Sequence, residues 1–133
     1  MAKTLTVDNI NVAIYPDATA MGQAAAAFVE EKLKSAIVQK GVAHMILATG
    51  ASQFPFLDVL KQRPIDWQKI VVFHLDEYKA LPATHPASFR KYLKDRILDE
   101  VKPQQVFFLE GDAEDIEAEM TRYATALERH PID

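Results

Sequence analysis

Two adjacent carboxylates, Asp76 and Glu77, stand directly after the apolar run Ile70-Val71-Val72-Phe73 and the pair His74-Leu75. A short apolar run rich in β-branched residues reads as a buried strand, and the carboxylates fall where that strand gives way to a loop. In an open parallel sheet, ligands bind at the carboxyl ends of the strands. A carboxylate held there can take a proton from a bound substrate, which makes Asp76 a candidate general base. A plainer reading stands beside it: Asp76 caps a turn or the next helix and Glu77 lies in solvent, as most such pairs do.

Two further clusters carry residue types suited to chemistry. Leu47-Ala48-Thr49-Gly50-Ala51-Ser52 reads as a strand followed by a tight turn into a helix. Backbone N–H groups at such a turn, aided by a hydroxyl, suit a phosphate or another anion. Gly50 lets the backbone approach closely. No Gly-Lys-Ser/Thr follows and the glycine spacing of a dinucleotide site is absent, so no nucleotide cofactor is implied. The competing reading makes Ser52 a helix N-cap and Gly50 a turn residue. The other cluster is Thr84-His85-Pro86-Ala87-Ser88-Phe89-Arg90. His85 titrates near neutrality and can carry a proton, or it is a polar loop residue ahead of a helix with Pro86 in its first turn. Ser88 reads as a cap and Arg90 as a solvated helix residue. His44 and His74 read as satisfied structural residues, and no His has a partner at ligand spacing, so no metal site is expected.

The elements that must position these residues alternate. Val12–Tyr15 reads as a strand, and Asp17 caps a helix from Ala18 to Lys40 closed by Gly41, with Ala24, Ala27, Phe28, Ile37 and Val38 on the packed face. His44–Ala48 is a second strand, followed by a helix over about 54–60. Ile70–Leu75 is a third strand and Pro86–Leu98 a helix. Val106–Leu109 is a fourth strand, and Asp112–Arg129 a last helix using Ile116, Met120, Tyr123 and Leu127. Strands and helices in alternation predict an α/β fold: a Rossmann-like open parallel sheet with helices on both faces. After the last helix, Pro131-Ile132-Asp133 falls where a further strand begins, so residues 1–133 are expected to be the N-terminal portion of a single, truncated domain. A sheet cut there offers an unpaired edge, which predicts self-association.

Bulk properties narrow the classes. The chain has 133 residues, is 49% hydrophobic and 26% charged, and carries a net charge of −4 with no cysteine. That is one ordinary globular domain. The net charge disfavours a nucleic-acid partner. No stretch nears the ~18 apolar residues of a membrane span, and the N-terminus lacks the apolar centre of a signal peptide. A cytoplasmic protein without a membrane partner is the expectation.

Taken together, Ile46-Leu47-Ala48-Thr49-Gly50-Ala51-Ser52 resembles the phosphate loop of the glucosamine-6-phosphate deaminase/isomerase family. Phe73-His74-Leu75-Asp76-Glu77-Tyr78-Lys79-Ala80-Leu81-Pro82, followed by His85-Pro86-Ala87-Ser88-Phe89, resembles that family's most distinctive segment. The resemblance covers nearly the whole chain. It implies a cofactor-free enzyme of amino sugar metabolism that converts glucosamine 6-phosphate to fructose 6-phosphate and ammonia. Asp76 would abstract the C2 proton, Thr49 to Ser52 would hold the phosphate, and Glu77, Tyr78 and His85 would position the loop. The related 6-phosphogluconolactonases usually place Arg where this chain has Tyr78. They remain an alternative hydrolase reading, beside a sugar-phosphate-binding module without chemistry. Two departures matter: the family loop commonly reads Thr-Gly-Gly-Thr-Pro where this chain has Thr49-Gly50-Ala51-Ser52-Gln53, and the family's ring-opening residues lie beyond the last residue given. Little turnover is therefore expected of the 133-residue chain alone.

Overall fold

The computed structural model describes residues 2–133. Its first element is a hairpin: β1 (Lys3–Val7) pairs antiparallel with β2 (Ile10–Ile14), with Asp8 at φ 51° in the turn. Val12–Tyr15 was expected to enter the parallel sheet, and the structure corrects this. Lys3–Val7 and Ile10–Ile14 both alternate, and closing a two-residue turn between neighbours costs less chain entropy than joining a distant strand. Asp is one of the few residues that tolerates the left-handed turn conformation.

The parallel sheet has three strands in the order β3-β4-β5, formed by β3 (Ala43–Leu47), β4 (Ile70–His74) and β5 (Gln105–Phe107). Leu47 lies opposite His74, and Phe73 opposite Phe107. All five residues of β4 are buried, as its central place requires. Helices cover both faces. On one side α1 (Ala18–Lys40), α2 (Phe54–Leu60) and the helical run from Phe89 pack Ala26, Leu33, Leu57, Leu93 and Ile97 onto Met45, Leu47, Ile70 and Val72. On the other, α4 (Ile116–Arg129) packs Tyr123 and Ala126 onto Val71 and Phe73.

Several boundaries differ from expectation. The face that α1 buries is Gly22, Ala26, Leu33 and Ala36, while Phe28 and Val38 are exposed. Apolar residues run all round this alanine-rich helix, so periodicity selects no face; the small residues win because α1 crosses α2 with Gly22 against Pro55. The helix after the Asp76 loop begins at Phe89, not Pro86. Ser88 is its N-cap, accepting from the Lys91 N–H at 3.4 Å. From this start α3 (Phe89–Leu93) passes into a π turn (Lys94–Leu98) and ends in Asp99–Val101. Similarly α4 begins at Ile116 under an Asp115 cap, which leaves Asp112 in a loop. At the free edge of β3, the Asp133 N–H donates to the His44 carbonyl at 3.1 Å and the His44 N–H donates to Asp133 Oδ2 at 2.8 Å. Pro131–Asp133 thus lies alongside β3, and His44 Nδ1 sits 2.9 Å from the Pro131 carbonyl. Ile46 is exposed further along that edge.

Candidate functional site

Because β3 and β4 are parallel with Leu47 opposite His74, Thr49 and Asp76 leave the sheet two residues further on, at the same edge. The Leu75 N–H still donates to the Leu47 carbonyl at 3.1 Å, which keeps the two exits side by side. Strands in a sheet are about 4.8 Å apart, so the two loops begin within reach of one small ligand.

Asp76 is exposed and lies at the rim of a hollow of about 330 Å³ walled by Leu75, Leu109, Ile116 and Met120. Glu77 also borders this hollow, but its carboxylate is turned into the start of the next helix. Its side chain is 1% exposed. It accepts hydrogen bonds from Ser88 Oγ at 2.7 Å, from the Phe89 and Arg90 N–H groups at 3.0 and 3.1 Å, and from Arg90 Nε at 3.1 Å. It also accepts from the Tyr78 N–H at 3.0 Å. Burial pushes the Glu77 carboxyl up, but these donors outweigh it and hold it down at about 2. The picture of a solvated Glu77 is therefore overturned: it is the anchor that ties the Asp76 loop to the first turn of α3. Arg90, expected in solvent, is 6% exposed and also donates to the Leu81 carbonyl at 2.8 Å and to Asp112 at 2.9 Å.

The remaining predicted residues fall into two groups. Thr49, Gly50, Ala51 and Ser52 form the β3 exit, whose turn is fixed by Tyr92 donating its hydroxyl to the Gly50 carbonyl at 2.6 Å. Gly50 has φ 113°, which a residue with a Cβ rarely adopts. The positive φ falls on Gly50 and not on Ala51, so the methyl of Ala51 costs nothing there. Ser52 caps no helix; it lies within the short 3₁₀ turn Ala51–Gln53, and its neighbour Phe54 opens α2. Ser52 also lines a different hollow, of about 540 Å³, between β2 and α1. Asp76 and Ser52 thus share an edge but not a cavity. Tyr78 is half exposed against Phe89, with ring centroids 5.0 Å apart. His85 is exposed in the turn before Ser88, and its Nδ1 accepts from the Ala87 N–H at 3.0 Å.

Residues that the sequence did not single out complete the surroundings. Gly111 carries the second loop against the first: the Ala80 N–H donates to its carbonyl at 2.6 Å, and a Cβ there would collide with the Tyr78 carbonyl oxygen. Glu119 is buried and paired with Arg122 at 2.6 Å, and accepts from the Glu110 N–H at 2.7 Å. The hydrogen bonds from Arg122 hold the Glu119 carboxyl below its ordinary value. His74 is 1% exposed, and its Nε2 accepts from the Leu109 N–H at 2.7 Å. Its Nδ1 has no partner among the described residues, so this histidine is only half satisfied. Burial pushes it down to about 4, with Arg90 adding to that effect against the opposite pull of Glu77 and Asp76. Among the described residues no three His, Cys, Asp or Glu side chains are grouped to hold a metal ion, and no helix is long and apolar enough to cross a membrane.

A three-stranded parallel sheet with a carboxylate loop and a glycine turn at one edge defines an α/β protein with a candidate site at that edge. Residues 16–132 match the family described as glucosamine-6-phosphate isomerases/6-phosphogluconolactonase, and the chain belongs to that family. Similar curated proteins include a glucosamine-6-phosphate deaminase of Exiguobacterium sp., 36% identical over 87 residues, which are 65% of this chain and 34% of that protein. Another, from Listeria monocytogenes, is 32% identical over 102 residues, 73% of this chain and 44% of that one. Among solved structures, a monomeric glucosamine-6-phosphate deaminase superposes with TM-score 0.74 at 26% identity, covering 85% of this chain and 48% of its own. A 6-phosphogluconolactonase from Shewanella baltica superposes with TM-score 0.79 at 20% identity, over 90% and 52% of the two chains, which shows the shared fold. The chain spans from about a third to half the length of these relatives.

Proposed function

We propose that this chain carries the proton-abstracting part of an amino sugar phosphate deaminase-isomerase acting on glucosamine 6-phosphate. The observation that carries the reading is the division of labour in Asp76-Glu77: one carboxylate is buried and spent on holding the loop, and the other is exposed at the carboxyl end of the central strand. On the ring-opened substrate, Asp76 takes the C2 proton while the C2–H electron pair forms the C1–C2 double bond and the C1 oxygen gains a proton. Taking a proton at C1, the enol-amine becomes the C2 imine; water adds there, and ammonia leaves to give fructose 6-phosphate. The β3 exit, Thr49 to Ser52, holds the phosphate with its backbone N–H groups and hydroxyls. Glu77 positions the loop from beneath, with Tyr78 and His85 as weaker supports.

Because the chain spans from about a third to half of these relatives, little or no turnover is expected of it by itself, while the Thr49 to Ser52 loop should still bind the sugar phosphate. The test measures both properties. Glucosamine 6-phosphate should raise the melting temperature of the wild type and of Asp76→Asn alike, with slow ammonia release from the wild type only. Rapid ammonia release that Asp76→Asn leaves intact contradicts the role given to Asp76. One observation favours the alternative of a binding module without chemistry: Ser52 and Asp76 open into different hollows. That reading gains if neither protein releases ammonia while both bind. Hydrolysis of 6-phosphogluconolactone would favour the lactonase instead. We further infer that copies associate through the part of the β3 edge at Ile46 that Asp133 leaves uncovered; a monomer by light scattering at high concentration contradicts this.

A further inference from the structure

The pairing of β4 with β5 ends at Phe73 opposite Phe107, just where Asp76 needs its position. Beyond that pair, the strands' hydrogen bonds go to side chains. The Tyr123 hydroxyl accepts from the His74 N–H at 3.0 Å and donates to the His74 carbonyl at 2.5 Å, taking both backbone groups that face β5. The Leu109 N–H that this strands is met by His74 Nε2 at 2.7 Å, while the neighbouring Phe108 carbonyl and Glu110 N–H are met by Arg122 at 2.6 Å and Glu119 at 2.7 Å. The hollow beside Asp76 opens in the gap.

We propose that Tyr123 and His74 form a wedge that parts β4 from β5, and that both are positioning residues for Asp76; this rests on the reading of Asp76 as base. Three features argue for a built device. Tyr123 is buried with its ring edge-on to Phe73 at 5.6 Å, so its hydroxyl is aimed by core packing and not by chance contact. A buried strand end normally spends its N–H and C=O on the neighbouring strand, and one hydroxyl answering both is a substitution for the ladder. Finally, His74 accepts at Nε2, so as a neutral ring it carries its proton on Nδ1, buried and without an acceptor among the described residues. An apolar side chain would avoid the cost of that unmet donor. What an apolar side chain lacks is the acceptor that holds Leu109, and with it the loop through Gly111 on which Tyr78 and Ala80 rest. An imidazolium in this place would turn a second N–H against that of Leu109, so the wedge needs the neutral ring.

Tyr123→Phe keeps the ring and removes the hydroxyl. By NMR, exchange of the His74 amide should speed by about tenfold or more relative to Val72, as expected for loss of a buried hydrogen bond, and the Asp76 carboxyl resonance should move. In D2O with glucosamine 6-phosphate, deuterium entry at C2 should fall by roughly tenfold to a hundredfold, the scale of a small misplacement of a catalytic group. The dissociation constant for the sugar phosphate should stay unchanged. His74→Gln, which keeps an acceptor, should restore Leu109 amide protection that His74→Leu loses. The proposal is overturned if Tyr123→Phe leaves His74 protection and the Asp76 resonance as in the wild type, or if C2 exchange falls only in step with binding. If Tyr123→Phe does not fold, equal behaviour of the two His74 variants overturns it. If the wild type exchanges no deuterium, the reading of Asp76 as base fails, and the wedge is judged on amide protection and the Asp76 resonance alone.

Discussion

Replacing Glu77 by Gln removes the charge that anchors the Asp76 loop. All five contacts to the carboxylate are from donors: Ser88 Oγ, the N–H groups of Tyr78, Phe89 and Arg90, and Arg90 Nε. An amide brings its own NH2 against one set of these donors and leaves the Arg90 side chain, 7% exposed, with Asp112 as its one remaining carboxylate. Holding Glu77 at about 2 instead of 4.5 is worth about 3 kcal/mol at about 1.4 kcal/mol per pKa unit. Breaking a buried ion pair by removing one partner costs about 3–5 kcal/mol. For a chain of this length, about 3 kcal/mol lowers the melting temperature by roughly 10 °C. The sign with pH follows from a depressed carboxyl: its contribution is complete above pH 4.5 and is lost as pH falls towards 2. Urea unfolding of wild type and Glu77→Gln should thus differ by about 3 kcal/mol at pH 7 and converge as pH approaches 2. A difference under about 1 kcal/mol at pH 7, the scale of an exposed pair, or one that does not shrink in acid, refutes the anchoring role.

Three further outcomes are expected. His74 sits at about 4 against 6.5, so the unfolded chain takes a proton first and stability falls between pH 6.5 and 4 by about 3 kcal/mol; His74→Gln should flatten that part of a urea-stability profile. Gly111→Ala drives a methyl into the Tyr78 carbonyl and should cost about 1–3 kcal/mol in chemical denaturation, well above a surface substitution. Gly50→Ala forces φ 113° on a residue with a Cβ and should cost about 1–3 kcal/mol while weakening binding of inorganic phosphate measured by calorimetry.

The parallel strands were legible because buried β strands are near-continuous apolar runs, and Ile70–His74 is such a run. The position of Asp76 followed from that strand alone. The direction each carboxylate faces did not, since neighbours in sequence at a strand exit are free to turn either way. Glu77 is buried because Ser88, Phe89 and Arg90, eleven to thirteen residues on, present their donors to it. Arg90 reads as a surface cation for the same reason: its partners Glu77, Leu81 and Asp112 come from two separate loops. Gly111 is a visible signal of a close approach, a glycine two residues beyond the expected strand Val106–Leu109 and next to Asp112. Tyr123 was counted among apolar positions of the last helix, which is true of its ring and says nothing of its hydroxyl. The packed face of α1 is not legible in the sequence because alanine suits every side of a helix, and only contact with α2 chooses one.

The central claim is that Asp76 removes the C2 proton of a bound amino sugar phosphate. The most direct measurement is NMR of glucosamine 6-phosphate in D2O, following loss of the C2 proton with wild type and with Asp76→Asn at equal saturation. The account predicts exchange with the wild type and, with Asp76→Asn, a rate lower by at least about a hundredfold, the upper part of the usual range for a positioned base. Equal exchange by the two proteins, or none above the protein-free rate with the sugar phosphate bound to both, would contradict it.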